Sequence, residues 1–178
     1  MFNALKNLFV PSDTRLRAHS AYVALVEQSR LPVFYQQWQV QDGLDGRFDV
    51  IVLHMCLLLG RLEAEPQRQE VQEFMRFISE AFFADMDRSL REMGVGDTGI
   101  GHRVKKMAQA FYGRRKAYAE ALENEAMLVE ALRRNVYREQ AVDAQCVAAL
   151  AAYMGRCRQA LAQLPADALL TGTLSFPA

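Results

Sequence analysis

The sequence predicts an all-α, single-domain bundle of about six helices, and three observations carry that expectation. The 178 residues include 25 alanines but only five prolines, a composition that favours helix over sheet. Apolar residues recur at intervals of three and four along several long stretches, the period of a helix with one buried face. The length is that of one domain, at which size roughly 70% of the unfolded chain's surface can be buried.

The elements follow in order. Residues 1–13 form a short lead in which Phe2, Leu5, Leu8 and Phe9 share helical spacing, and Pro11 with Ser12 and Asp13 ends the run. Docking on the body and touching a lipid surface are both open to it. A first long helix is expected over 14–30, with Tyr22, Leu25 and Val26 on one face, and Pro32 interrupts it. The aromatic stretch 33–40 (Phe34, Tyr35, Trp38) reads as a further short helix, and Asp42-Gly43 and Asp45-Gly46 read as turns. Residues 48–62 are apolar nearly all round and too long for a strand, so they are expected to form the central, most buried helix. Over 66–93, Val71, Phe74, Met75, Ile78, Ala81 and Phe82 make one stripe; Phe77 and Phe83 fall off it. Gly94 is expected to end that helix in a left-handed cap. After a glycine-rich connection, a helix starting near Ile100 continues, with a bend, through Leu132. A last helix spans 142–164, and a tail over 165–178 is expected to be loosely held. The domain proper is thus 14–164.

Composition excludes several classes. With 51% hydrophobic and 24% charged residues the chain is globular in composition. Twenty-one Lys and Arg balance 21 Asp and Glu, so bulk charge gives no drive toward DNA, and electrostatic function must come from how charges are distributed. The longest apolar run, 50–59, is half of the roughly 20 residues a membrane-spanning helix needs. Cys56, Cys146 and Cys157 are odd in number and not closely paired, which fits a reducing compartment. With no secretory pattern at the start, a cytoplasmic location is expected.

No set of residues asks to be called catalytic. Gly94-Val-Gly-Asp-Thr-Gly99 matches the dinucleotide-binding glycine pattern, but a helix rather than a strand precedes it. Asp85 and Asp87 point about 200° apart on a helix and form no acid–base pair. His19, His54 and His102 are scattered, and no metal-ligand spacing exists. The reading is non-enzymatic, with no cofactor and no metal. The strongest local feature is a charge reversal. Residues 80–97 hold five acids against Arg88 and Arg91, whereas 98–119 hold Arg103, Lys105, Lys106, Arg114, Arg115 and Lys116 with no acid. Such a helix hairpin either pairs across itself or presents a bipolar docking surface.

The run Asp85-Met-Asp-Arg-Ser-Leu-Arg-Glu-Met-Gly-Val-Gly-Asp97, then Val104-Lys-Lys-Met107 and Phe111-Tyr-Gly-Arg114, closely resembles the ubiquinol–cytochrome c chaperone family. Asp45-Gly-Arg-Phe-Asp49 and the apolar helix after it also look like that family's, so the resemblance covers about 14–140. It implies an all-helical assembly factor for the cytochrome bc-type respiratory complex, of a bacterial type, at the inner face of the inner membrane. The implied client is newly made cytochrome b, with a ribosome or a small helper protein as further partners and a peripheral membrane contact. The motif positions carried over are Asp85, Asp87, Arg88, Arg91, Glu92, Gly94, Val95, Gly96, Asp97, Lys105, Lys106, Tyr112 and Arg114, and the charge pattern adds Arg103. Candidate residues for an apolar groove beside them are Phe34, Tyr35, Trp38, Phe77 and Phe83. Two alternatives remain: a ribosome- or RNA-associated module using the basic segment 103–116, and a haem-handling protein with His54 or His19 as ligand.

Overall fold

A helix that is apolar on every side has to be surrounded. In the computed structural model, which describes residues 13–138 and 140–177, the helix α2 (Leu44–Leu62) is buried at every position from Phe48 to Leu59. Around it stand α1 (Asp13–Ser29), α3 (Gln69–Glu92), α4 (Asp97–Ala121), α5 (Glu125–Asn135) and α6 (Ala144–Ala162), followed by a single turn, α7 (Ala166–Leu169). Each outer helix packs on the next in the order α1, α3, α4, α5, α6. Gln28 on α1 closes the ring by donating to the Tyr153 hydroxyl of α6 at 3.0 Å. The all-α single domain and the central place of α2 are as expected, and no strand occurs among the described residues. The lead, residues 1–12, lies outside the described residues.

The boundaries show what the periodic pattern did and did not specify. Gly94 ends α3 as expected. With φ of +77° it lets its own N–H reach Arg91 O at 2.9 Å and the Val95 N–H reach Leu90 O at 3.1 Å, a Schellman closure. Asp45-Gly46 is not a turn but the first turn of α2. Gly46 is required there because a Cβ would stand 1.9 Å from Gln41 O. Residues 33–37 wind as a π-helical turn, with Trp38 N bonded to Val33 O at 3.0 Å. The expected bent helix through Leu132 is instead two helices. Asn124 breaks it, its side chain accepting from Met127 N at 3.1 Å to cap α5. Asp143 caps α6 in the same way through Gln145 N.

The tail corrects the expectation of loose holding. Ala166, Leu169 and Leu170 are buried, Arg61 donates to Leu164 O at 2.8 Å, and Arg68 pairs with Asp167. Gly172, at φ +84°, lies so close to α1 that a Cβ would stand 2.4 Å from Arg17 O. The Phe176 ring then lies 5.0 Å from the ring of His54. Ala166, Leu169 and Leu170 do fall at i, i+3 and i+4, but over a single turn that follows Pro165, too short a stretch for the pattern to mark the segment.

Candidate functional site

The charged hairpin is formed by α3 and α4. Its acidic arm is paired within itself and not with the basic arm. Arg88 bonds Asp85 at 3.0 Å, and Arg91 bonds both Asp87 and Asp97 at 2.7 Å, so the Arg91 guanidinium ties the end of α3 to the start of α4. Those two contacts hold the Arg91 guanidinium above its ordinary pKa. Asp85 is also a clip between helices, because the Tyr22 hydroxyl of α1 donates to its Oδ2 at 2.8 Å. Burial, then that hydrogen bond, raises the Tyr22 phenol well above its ordinary range. Glu92, Gly94, Gly96 and Asp97 are exposed at the tip, and Val95 is half-buried.

Two cavities open along the seam of α1 and α3 and share Val26, Arg30, Asp85 and Ser89. The smaller, about 390 Å³, is floored by Val26, Leu44, Phe48, Ile51, Met86 and Met93, with Tyr35, Ser89, Arg30, Asp42 and Arg47 around it. The other, about 620 Å³, continues past Tyr22, Val23 and Ala84 toward His19, Arg88 and Glu92. Leu44 and Phe48 come from the start of α2, Met86 from α3 and Met93 from its C-cap, so the stretches 45–49 and 85–97, far apart in sequence, meet at one concave surface. Arg47 is engaged by Asp42 at 2.7 Å and Arg88 by Asp85, whereas Arg30 makes no ion pair among the described residues. Met93 is half exposed, a flexible apolar side chain suited to varied partners.

The basic arm divides in two. Arg114 is not a surface residue. Its Nη2 lies 2.7 Å from Oδ1 of Asp49, which is wholly buried, and its guanidinium stands over the Phe48 ring at 5.4 Å. Arg138 bonds the other carboxylate oxygen at 2.6 Å. Burial pushes the Asp49 carboxyl up to about 7, against the pull of both arginines. Arg115 pairs with Glu63. Only Arg103, Lys105 and Lys106 remain exposed with no ion pair among the described residues, and Tyr112 stands beside them, 57% exposed.

The expected groove aromatics are largely core. Phe34 is fully buried, packed edge-on against Trp38, Tyr153 and His54 at 5.2 to 5.6 Å. Tyr35 donates to Ser29 O at 2.6 Å and still lines the smaller cavity. Phe77 is covered by the guanidiniums of Arg15 and Arg76 at 5.1 and 4.1 Å. Phe83 joins a ladder from Phe82 through Phe111 to Tyr112. Both ring nitrogens of His54 are engaged inside the bundle, which disfavours it as a haem ligand. Its Nδ1–H donates to Val50 O at 2.8 Å, its Nε2 accepts from the Tyr153 hydroxyl at 2.7 Å, and the ring is wholly buried. Burial holds it neutral, lowered to about 4. Among the described residues no group of three or more His, Cys, Asp and Glu is placed to hold a metal ion, and no helix is long and apolar enough to cross a membrane.

Sequence reasoning did not single out Arg30, Ser89 or Met93 as site residues. They sit on the outward side of otherwise ordinary helical stripes, and only the approach of α1 to α3 brings them together.

Comparisons with known proteins bear on this arrangement. A family model described as ubiquinol-cytochrome C chaperone matches residues 36–176. The ubiquinol-cytochrome-c reductase complex assembly factor 1 of Xenopus laevis is 26% identical over 160 residues, covering 89% of this chain and 79% of that protein. The crystal structure of the Cbp3 homolog from Brucella abortus superposes with a TM-score of 0.84 at 32% identity, covering 100% of this chain and 97% of that one.

Proposed function

The chain belongs to the ubiquinol–cytochrome c chaperone family, and from that premise we propose that it is a non-enzymatic assembly chaperone of the cytochrome bc-type complex, holding newly made cytochrome b. The observation that carries this reading is the meeting of 45–49 and 85–97, the stretches that bear the family resemblance, at one cavity. An apolar helix end or loop of the client fills the floor of Phe48, Ile51, Met86 and Met93. The polar rim of Arg30, Asp85, Arg88 and Ser89 satisfies the backbone groups that such a segment exposes when it is not yet packed in its complex. The tight pairing of Asp85, Asp87, Arg91 and Asp97 keeps the hairpin rigid, so binding needs little ordering of the chaperone itself.

A tagged copy pulled from native membranes in mild detergent is expected to bring cytochrome b with it. Ser89→Trp, which fills the space shared by the two cavities, should abolish that capture while leaving the fold intact. Absence of cytochrome b from the pulldown, in a strain whose complex still assembles when the gene is deleted, would overturn the proposal. The RNA-associated alternative is weakened by the loss of Arg114 and Arg115 to Asp49 and Glu63. Ribosomal proteins alone in the pulldown would restore it.

A further inference from the structure

The ring of outer helices is not closed evenly. From α1 through α3, α4 and α5 to α6 each helix packs along the next, whereas α6 and α1 have little contact and are bridged by the bond from Gln28 to Tyr153. His54 lies under that seam. The Ser29 hydroxyl of α1 stands 3.1 Å from its Nδ1, and the Tyr153 hydroxyl of α6 stands 2.7 Å from its Nε2. With its nitrogens engaged by the chain itself, the imidazole offers apolar contact to whatever covers it. That cover is the Phe176 ring, edge-on at 5.0 Å.

Residues 171–176 bring the ring there. Gly172 backs on the Arg17 carbonyl near the start of α1, and Phe176 reaches the histidine that Ser29 touches at the other end of that helix. Arg17 and Ser29 are about 18 Å apart along α1. Four extended residues cover about 13 Å of that, and the Phe176 side chain supplies the remainder. An extended chain presents alternate residues to one side. Gly172 is accordingly buried and Leu174 and Phe176 are partly buried against the core, while Thr171, Thr173 and Ser175 are exposed. The grip is slight, since among the described residues no hydrogen bond joins Leu174, Ser175 or Phe176 to any other. Firm anchoring ends at the buried Leu169 and Leu170, and Gly172, at φ +84°, is the turn beyond them.

We propose that the seam between α1 and α6 is a peptide groove and that residues 171–177 are its built-in occupant, displaced by an extended segment of another protein. The segment it accepts carries a small, an aliphatic and an aromatic residue at alternate positions, as Gly172, Leu174 and Phe176 do. Walls made of helices have their backbone groups paired, so selectivity comes from side chains, above all the ring over His54. An occupant in cis keeps the apolar floor covered while the groove is idle. The incoming segment binds more weakly by the fraction of molecules in which the strap has lifted. The groove is on the α6 side of α1 and the two cavities on its α3 side, so this site does not depend on what the cavities hold.

The test uses the full-length chain. Its three cysteines are buried, so Ser175→Cys, at an exposed position, takes a fluorophore alone. A synthetic peptide of residues 170–177 is expected to lower the anisotropy of that label saturably as the strap is freed. The same peptide with serine in place of its phenylalanine should have no effect. Leu174→Ser combined with Phe176→Ser should bind the parent peptide at least about tenfold more tightly than wild type, because the built-in competitor is weakened. Anisotropy that does not move, equal affinity of wild type and double variant, or equal action of the two peptides would overturn the proposal. If the double variant melts early, the anisotropy titration decides alone. Ser89→Trp should leave peptide affinity unchanged while abolishing capture of cytochrome b, so failure of the groove and failure of the cavity are distinguishable.

Discussion

Asp49 and Arg114 meet 2.7 Å apart inside the bundle, joining α2 to α4, with Arg138 closing the same carboxylate from the far side. A buried ion pair is costly to break from one side, because the remaining charge keeps its desolvation and loses its partner. Arg114→Met is therefore expected to cost about 3–5 kcal/mol of unfolding free energy near pH 8, where Asp49 is ionised. Asp49→Leu combined with Arg114→Met should cost less than Arg114→Met alone. Urea midpoints of the three proteins check this, and a simply additive double variant would count against it.

Burial drives both Asp49 and His54 toward their neutral forms, with opposite consequences for pH. Above pH 6.5, folded and unfolded chains both keep His54 neutral. Between 6.5 and about 4 only the unfolded chain takes the proton, so acidification removes about 3 kcal/mol. Asp49 works the other way. Between 3.8 and about 7 the folded chain keeps the carboxyl proton that the unfolded chain gives up, so stability falls as pH rises. The two slopes oppose each other over the shared range. Urea titrations between about pH 4.5 and 6.5 should show His54→Gln losing stability as pH rises and Asp49→Asn gaining it. Parallel profiles for both variants would refute this assignment.

Two glycines should respond to alanine with opposite signs. At Gly113 the added methyl meets nothing and helix propensity improves, so Gly113→Ala is expected to add about 0.5–1 kcal/mol. At Gly46 the same methyl would strike the Gln41 carbonyl, and Gly46→Ala should cost about 3 kcal/mol or more by displacing the first turn of α2. Denaturant midpoints with unchanged slopes would establish both.

The C-terminal segment should prove essential. Phe176 is only partly buried, so Phe176→Ala is expected to cost about 1–2 kcal/mol, below the 3–5 typical of a core phenylalanine. Ending the chain at Leu164 removes the buried Leu169 and Leu170 as well. At about 2–5 kcal/mol each, that loss approaches the whole stability of a domain. Thermal melts of the truncated chain should show no cooperative transition.

The parts of this fold that could be read from sequence are those whose signal is local. Phe48 to Leu59 is apolar nearly all round, Asp49 and His54 apart, and is buried on all sides. Val71, Phe74, Ile78 and Phe82 repeat at three and four and face inward. Gly94 announces its own cap. What could not be read depends on residues distant in the chain. Arg114 sits in a run of cations that looks solvated, and only Asp49, brought beside it by the packing of α4 on α2, turns it inward. Tyr22 and Asp85 are both ordinary helical residues until α1 crosses α3. The cavity is the same kind of fact, since its floor comes from two stretches that share no local pattern. Asn124, by contrast, was a readable helix cap that the continuing apolar period concealed.

The central helix is an early part of the chain, yet several groups that cover it come late. Tyr153 and Phe176, which enclose His54, lie about 100 and about 120 residues downstream of it. During synthesis α1, α3 and α4 can cover part of α2, but the side that bears His54 stays open until α6 and residue 176 have followed. The chain therefore passes through a stage in which its own central helix is an incompletely covered apolar surface, and the bundle closes over His54 only after the segment that carries Phe176 has been made.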